Sequence, residues 1–193
     1  MQLYEHPDSE LVRQIQSGDA AAFNELMRRY KHPVVNFVFR MLGNADDADD
    51  VAQDVFVRVY QKLDTYRPGT KFSTWLFALA RNAAIDHLRW RARHPTESME
   101  SAPEISASSG TVEAVNAREI GALISAAVAK LPEDQRTALV LSEYQGMSHA
   151  EVAAIMRCSV KSVESRLYRA KQTLREGLRP LLDSSVGVAL LPR

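Results

Sequence analysis

Residues 148–177 of the chain read SHAEVAAIMRCSVKSVESRLYRAKQTLREG. Ser148 precedes Glu151 by three positions, the spacing of a capping box, which predicts a helix that begins at His149. A polar break follows, and Ser159 can cap a second helix. This second helix has a continuous apolar stripe at three- and four-residue steps: Val160, Val163, Leu167, Ala170, Leu174 and Leu178. Two short helices joined by a tight turn are typical of a helix-turn-helix.

The second of these helices is basic on its exposed side, which indicates DNA binding. Between Arg157 and Arg179 the chain has seven Arg or Lys and two Glu. A recognition helix in the major groove needs donors for phosphates and base edges, and basic and hydroxyl side chains provide them. A basic amphipathic helix within a helical bundle would show the same pattern, so that alternative stays open at this point.

The composition of the whole chain favours an all-α fold. Its 193 residues are 46% hydrophobic, Gly and Pro are sparse, and the alternation typical of strands is absent. The net charge of zero argues against a protein that coats nucleic acid without specificity. A lone cysteine, Cys158, excludes an internal disulfide and fits a reducing compartment. Because the chain shows neither a signal-peptide pattern nor a long apolar run, we expect a soluble cytoplasmic protein.

The beginning of the chain predicts two amphipathic helices. The first starts near Asp8 and stops at Gly18. The second starts after Asp19 and continues to Leu42, and Pro33 is expected to kink it or to fall near a junction. Both have apolar residues on one face, as the surface helices of a globular domain do.

The next segment, residues 45–63, is acidic: ADDADDVAQDVFVRVYQKL. Its first turns contain more aspartates than capping or the helix dipole requires: Asp46, Asp47, Asp49, Asp50 and Asp54. Three interpretations remain open, namely a docking surface for a basic partner, a solvated helix face, and a paired-carboxylate or metal site. No His or Cys accompanies the aspartates and their spacing differs from that of a calcium loop, so we expect neither a metal nor a cofactor.

Residues 64–94 combine aromatic with basic side chains: DTYRPGTKFSTWLFALARNAAIDHLRWRARH. Aromatic rings can stack on unpaired bases while arginines hold phosphates, which is the combination that single-stranded nucleic acid requires. Trp75 and Phe77 are interpreted as core residues. Tyr66 and Phe72 lie in or beside a Pro-Gly loop and are the candidates for stacking on bases.

The composition changes again after residue 94. Residues 95–117 contain four Glu, no Lys or Arg, and many Ser, Ala and Pro, which is typical of a flexible acidic linker. The pattern therefore predicts a first helical domain at 1–94, the linker at 95–117, a second helical domain at 118–182, and an apolar tail at 183–193.

In this order, the acidic, aromatic-basic and helix-turn-helix segments resemble those of the bacterial sigma factors. The similarity is to the short extracytoplasmic-function (ECF) group of the sigma-70 family, which keeps only sigma regions two and four, and it covers roughly Ser9 to Leu182. The family's polymerase-docking segment is similar to DDADDVAQDVFVRVYQKL, and its promoter-melting segment is similar to YRPGTKFSTWLFALARNAAIDHLR. Its region four, which reads the minus-thirty-five element, is similar to LPEDQRTALVLSEYQGMSHAEVAAIMRCSVKSVESRLYRAK.

The resemblance implies three sets of contact residues. Core RNA polymerase would be bound by Asp46, Asp49, Asp50, Asp54, Val55 and Phe56. The opened minus-ten strand would be held by Arg67, Phe72, Asn82, Ile85, Asp86 and Arg89. The minus-thirty-five element of promoter DNA would be contacted by Lys161, Ser165, Arg166, Tyr168, Arg169 and Lys171.

The function implied by the resemblance is promoter selection for a polymerase, without bond chemistry or catalytic residues in this chain. The resemblance also implies an anti-sigma protein, membrane-associated or soluble, that holds the factor inactive. The alternative is a helix-turn-helix regulator that binds duplex DNA without being a polymerase subunit. That alternative accounts for residues 148–177 but not for the acidic and aromatic-basic segments.

Two residues depart from the family pattern. Arg157 stands at the turn position where many helix-turn-helices have Gly, so a left-handed backbone there would be strained. Glu164 occupies a recognition-helix position that is often basic in the family. A carboxylate can accept a hydrogen bond from the amino group of cytosine, so the promoter sequence is expected to differ from the common one.

Overall fold

The computed structural model describes residues 8–66, 70–95 and 112–179, and for residues 112–119 it describes the backbone alone. All regular elements in these ranges are helices, which confirms the all-α fold. The minus-ten candidate Arg67, most of the predicted linker and the tail at 183–193 lie outside the described residues. None of the helices in the described ranges could cross a membrane.

Three helices open the described chain: α1 (Asp8–Gln16), α2 (Ala20–Leu42) and α3 (Ala45–Lys62). The carboxylate of Asp19 caps α2 by accepting hydrogen bonds from the first free backbone amides of that helix. Helix α2 continues across Pro33 as one element, so the proline does not end it. It ends at Gly43, which adopts a left-handed backbone with φ 76° and donates its amide to Phe39.

Helix α3 lies against α2 and against α4 (Phe72–Arg93). The side chain of Asn44 caps α3 by accepting a hydrogen bond from the amide of Asp47 at 3.0 Å. A 3₁₀ turn at Leu63–Thr65 follows the helix. The apolar stripe of α3 and its C-cap, whose members are spaced four residues apart, lies entirely in the core: Val51, Val55, Val59 and Leu63.

Tyr66 and Phe72 are buried, so the expectation that they are free to stack on bases is wrong for this conformation. The ring of Phe72 packs edge-on or tilted against Tyr30, Tyr66 and Trp75, with centroids 5.4 to 5.8 Å apart. The hydroxyl of Tyr66 donates to the carbonyl of Thr70 at 2.6 Å, so its polar end is also satisfied. Trp75, interpreted as core, is only half-buried.

Four helices form the second part of the described chain: α5 (Val112–Ala129), α6 (Glu133–Leu139), α7 (His149–Met156) and α8 (Val160–Gly177). Helix α5 begins inside the predicted linker. A single π-helical turn, Val140–Tyr144, continues α6. Helices α6 and α7 both lie against α8, and the pair α7–α8 is the predicted helix-turn-helix.

The local chemistry of the helix-turn-helix follows its sequence. Ser148 and Glu151 form the predicted capping box, and the hydroxyl of Ser159 accepts from the amide of Ser162 at the start of α8. Arg157 adopts the predicted left-handed backbone, with φ 52° and ψ 49°. Val160, predicted to be buried, is 41% exposed at the first position of α8.

The two parts share one core. Buried apolar side chains of α1 to α4 and of α6 to α8 belong to a single continuous cluster. The contacts between the parts run from α2 to α5, α6 and the π-helical turn, and from α4 to α7. The N-terminal unit (residues 8–95) and the C-terminal unit (residues 112–179) therefore meet directly.

Candidate functional surfaces

Four aspartates on the exposed side of α3 form an acidic face. They recur at one-turn spacing along the first half of the helix, and all four are exposed: Asp46, Asp49, Asp50 and Asp54. The fifth aspartate of the cluster has a structural contact instead. Asp47 accepts from Arg91 at 3.2 Å and lies 3.4 Å from the Nε2 of His87, so it joins α3 to α4. The acidic face is thus formed by the four carboxylates that do not make this bridge.

The two apolar residues assigned to polymerase contact lie beneath this face. Val55 is fully buried in the core, so its side chain supports α3 and presents no surface to a partner. Phe56 is also buried, but it lines an apolar groove of about 610 Å³ between α2 and α3. Asp49 lines the same groove, which therefore adjoins the acidic face.

The sequence interpretation missed two residues at this groove. Val57 is 54% exposed and Tyr60 is 69% exposed, which is unusual for large apolar side chains on a helix that is buried on its other side. The ring of Tyr60 packs edge-on against Phe23 of α2 at 5.5 Å. The sequence did indicate their exposure, because both residues fall outside the apolar stripe of α3, whose members are spaced four residues apart.

Helix α4 carries a row of exposed polar side chains at three- and four-residue spacing: Asn82, Asp86 and Arg89. These three members of the minus-ten set lie along one side of the helix. The other two described members, Phe72 and Ile85, are buried, and Phe72 belongs to the continuous core. They hold the helix in place and are not available for direct contact with a nucleic acid in this conformation.

Helix α8 brings four members of the minus-thirty-five set to one concave surface. A cleft of about 540 Å³ between the start of α6 and α8 is lined by Lys161, Ser165, Arg166 and Arg169. Tyr168 is 71% exposed beside them. The exposed side of α8 thus offers donors at the spacing of one helical turn, as a helix in a major groove requires.

Two basic residues of α8 are held by other contacts. Arg166 is half-buried, and it donates to the carboxylate of Asp134 and to the Sγ of Cys158, both at 2.9 Å. Lys171 pairs with Glu143 at 2.8 Å on a different side of α8 from the cleft. In this conformation Arg166 positions α8 against α6, and Lys171 fastens α8 to the π-helical turn.

Within the described ranges, no three His, Cys, Asp or Glu side chains converge in a way that could hold a metal ion. The carboxylates of the acidic face are spread along the surface of α3 and do not converge on one point. The acidic face is therefore an anionic surface, which suits a basic protein partner better than a metal ion.

Comparison with known proteins assigns both units to one family. The profile of Sigma-70 region 2 matches residues 26–94, and that of Sigma-70 region 4 matches residues 122–174. The RNA polymerase sigma-H factor of Pseudomonas aeruginosa is 35% identical over 93% of this chain and 98% of its own length. The chain belongs to the sigma-70 family of RNA polymerase sigma factors. The ECF RNA polymerase sigma-E factor of Escherichia coli, also 35% identical, covers 91% of this chain and 96% of its own length and indicates the ECF group.

Solved structures agree with this assignment of the sigma factor. CnrH, solved in complex with the cytosolic domain of CnrY, superposes with a TM-score of 0.68 at 29% identity over 92% of this chain and 98% of its own. The sigma factor RpoE of Bartonella quintana, solved with the anti-sigma factor NepR, superposes with the same TM-score at 27% identity over 81% of this chain and 96% of its own. The region 2 match contains the acidic face and the row on α4, and the region 4 match contains the cleft on α8.

Proposed function

We propose that this ECF sigma factor binds core RNA polymerase through the acidic face of α3 and the adjoining apolar groove. This surface combines exposed carboxylates with exposed Val57 and Tyr60. The carboxylates can steer a basic partner electrostatically, and the apolar side chains can be buried against it. The carboxylates Asp46, Asp49, Asp50 and Asp54 attract a basic surface. The groove then receives apolar side chains, and Phe56 contributes its wall.

The promoter is read by the two other surfaces. The row Asn82, Asp86 and Arg89 on α4 holds the opened minus-ten strand, and Arg67, which lies outside the described residues, is a further proposed contact. Phe72 and Ile85 are buried, so their role is to hold α4 in position and not to contact the strand. The exposed side of α8 lies in the major groove of the minus-thirty-five element, with Lys161, Ser165, Tyr168 and Arg169 in contact and Arg166 and Lys171 as flanking cations.

The chain contributes selection rather than catalysis, and it acts in the cytoplasm, where polymerase and chromosome meet. Its proposed domains are residues 1–94 and 118–182. The linker, predicted at 95–117 but helical from Val112, lets two weak DNA contacts act together only on correctly spaced elements. Because the similar RpoE was solved with an anti-sigma factor, we also propose an anti-sigma partner, membrane-associated or soluble, for this chain.

One observation carries the proposal: three surfaces of different chemistry lie on separate helices of one chain. These surfaces are the acidic face of α3, the polar row of α4 and the basic cleft of α8. A helix-turn-helix regulator that acts alone would need only the last of them.

The test is transcription by bacterial core polymerase, with and without this protein, on sheared DNA from the host. We expect new discrete transcripts whose upstream sequences share two elements at fixed spacing. Core binding without transcripts would indicate an unsuitable template. Neither core binding nor transcripts, combined with a footprint of the free protein on duplex DNA, would instead support a regulator that acts without polymerase.

A further inference from the structure

A pocket of about 540 Å³ lies between α5 and α8, and we call it the α5–α8 pocket. Its floor is apolar and is formed by Ile124 of α5, Leu139 of α6, and Leu174 and Leu178 of α8. An apolar cavity of about 150 Å³ holds one benzene-sized group, so this pocket has room for about three side chains of similar size. An apolar segment can therefore be buried in it.

The rim of the α5–α8 pocket is basic. It contains Arg40, Lys171 and Arg175 but only one carboxylate, that of Glu143. Two of the cations already have partners, since Arg40 lies over the ring of Tyr144 and Lys171 pairs with Glu143 at 2.8 Å. Arg175 is exposed and makes no ion pair with the described residues. The rim therefore suits an apolar segment that carries one negative charge.

Gly121 of α5 also lines the pocket, and the space next to it is open. A Cβ at this position would meet no described atom within 4 Å, apart from its chain neighbours and the backbone of its own helix. Glycine inside a helix is destabilising relative to alanine, and the packing of the described residues does not require it here. A glycine also allows another backbone to approach closely, so this position leaves room for a segment that passes over α5.

The segment that follows α8 begins at this pocket. Leu178 is buried and lines the pocket, and residues 180–193, PLLDSSVGVALLPR, come almost directly after it and lie outside the described residues. Pro180 favours a change of direction, because proline does not continue a helix. The only charged residue before Arg193 is Asp183, which matches the cation of Arg175. An extended chain covers about 3.3 Å per residue and a helix about 1.5 Å, so a returning segment spans the pocket within a few residues.

The pattern of large and small residues in this segment also fits the pocket. In an extended conformation Val186, Val188 and Leu190 share one face, because alternate side chains of extended backbone point the same way. Gly187 and Ala189 lie between them and belong to the other face. The segment thus offers three large apolar side chains on one face, which is the number that the pocket can hold.

We infer that residues 181–191 turn back after α8 and dock in the α5–α8 pocket of the same chain. Val186, Val188 and Leu190 occupy the apolar floor, and Asp183 lies beside Arg175. The docked segment keeps this apolar surface covered. Any partner that buries an apolar segment in the pocket has to displace it, so the apparent affinity of that partner falls with the fraction of open pockets. Docking requires neither polymerase nor promoter DNA, so its test is independent of the proposed function.

The test is disulfide formation in the full chain between Ser125→Cys in the pocket and Val188→Cys in the segment. Both substitutions are made in a Cys158→Ser background, which removes the native thiol. Leu123→Cys with Val188→Cys is the matched control, because Leu123 is 48% exposed on α5 and does not line the pocket. A disulfide needs Cα atoms within about 7 Å, so only docking brings the first pair together for long. Non-reducing electrophoresis and mass spectrometry in a glutathione buffer measure the rates.

We expect the pair at Ser125 to close about tenfold faster than the pair at Leu123, because docking raises the local concentration of the segment at the pocket alone. In the same pair, Leu190→Ser should slow closure several-fold, whereas Leu191→Ser should not, since Leu191 belongs to the other face. Gly121→Trp should also slow it by filling the open space. Equal rates for the two pairs would refute docking, as would equal effects of the two serine variants. Linked dimers that depend on protein concentration would place the segment in a second copy and would also refute it.

Discussion

At the scale of single residues, Arg157 shows how the turn of the helix-turn-helix accepts a strained backbone. It is the one non-glycine residue with positive φ in the described ranges. A left-handed backbone costs a residue with a Cβ roughly 1–2 kcal/mol, and glycine in the same place avoids this cost. Part of the stability gained in this way is lost again, because glycine has more conformational freedom in the unfolded chain. We expect Arg157→Gly to raise the free energy of unfolding by about 0.5–1 kcal/mol in urea titrations. Arg175→Gly within α8 is the control, and it should lower the free energy instead.

Glu164 is the residue for which a base preference follows from chemistry. Its side chain is 57% exposed on α8, and its carboxylate lies 3.8 Å from the Nδ1 of His149. A carboxylate accepts from the amino group of cytosine, whereas the amide of Gln pairs well with adenine. Glu164→Gln should move the preference at one minus-thirty-five position from cytosine to adenine, a change of about 1–3 kcal/mol. Selection from a promoter library by the reconstituted polymerase measures this preference.

A uniform gain in DNA affinity without a change in preference would contradict this base contact. It would show that Glu164 merely repels phosphates. Glu176→Gln, near the far end of α8, removes the same charge and should leave the preference unchanged. The comparison separates base reading from general electrostatics, because only a base contact is specific to one position.

At the scale of elements, the start of α7 depends on an ionised carboxylate. Hydrogen bonding from Ser148 and then pairing with Lys71 hold the pKa of Glu151 at about 2, below its ordinary value of 4.5. A lowered pKa means that the stabilisation is complete above pH 4.5 and is lost as the pH falls toward 2. We expect Glu151→Gln to cost about 0.3–1 kcal/mol at neutral pH, with a difference from the wild type that shrinks across this range. Urea titrations at several pH values measure it, and a difference that stays constant with pH would contradict the assignment.

The elements were predictable wherever the signal was local. The caps at Ser148 and Ser159 follow from short-range hydrogen bonding, and each forms as expected. The burial of side chains was less predictable, because it depends on partners distant in sequence. Phe72 is adjacent to a loop in sequence, yet it packs against Tyr30 of α2 as well as against its sequence neighbours Tyr66 and Trp75.

At the scale of the whole molecule, the contact between the units had no local signal. Asp134 and Arg81 are ordinary charges in their own helices, and only the packing of α4 on the helix-turn-helix brings them together. The same applies to the groove beside α3, where Tyr60 meets Phe23 of α2. The sequence predicted which helices carry charge, but not which charges are already paired within the protein.

A charge reversal can test the acidic face, because its aspartates take no part in the ion pairs between the units. Asp50 is exposed, and reversing its charge by Asp50→Lys should weaken binding to core polymerase about tenfold, or about 1.4 kcal/mol, because the partner is expected to be basic there. Asp64→Lys is the matched control, because Asp64 is also exposed in the N-terminal unit but lies beyond α3. Anisotropy of the labelled factor, titrated with core polymerase, gives both affinities. If both variants bind core polymerase with the same affinity and unfold at an unchanged temperature, the acidic face is only a solvated surface. The groove at Val57 and Tyr60 would then be the docking site.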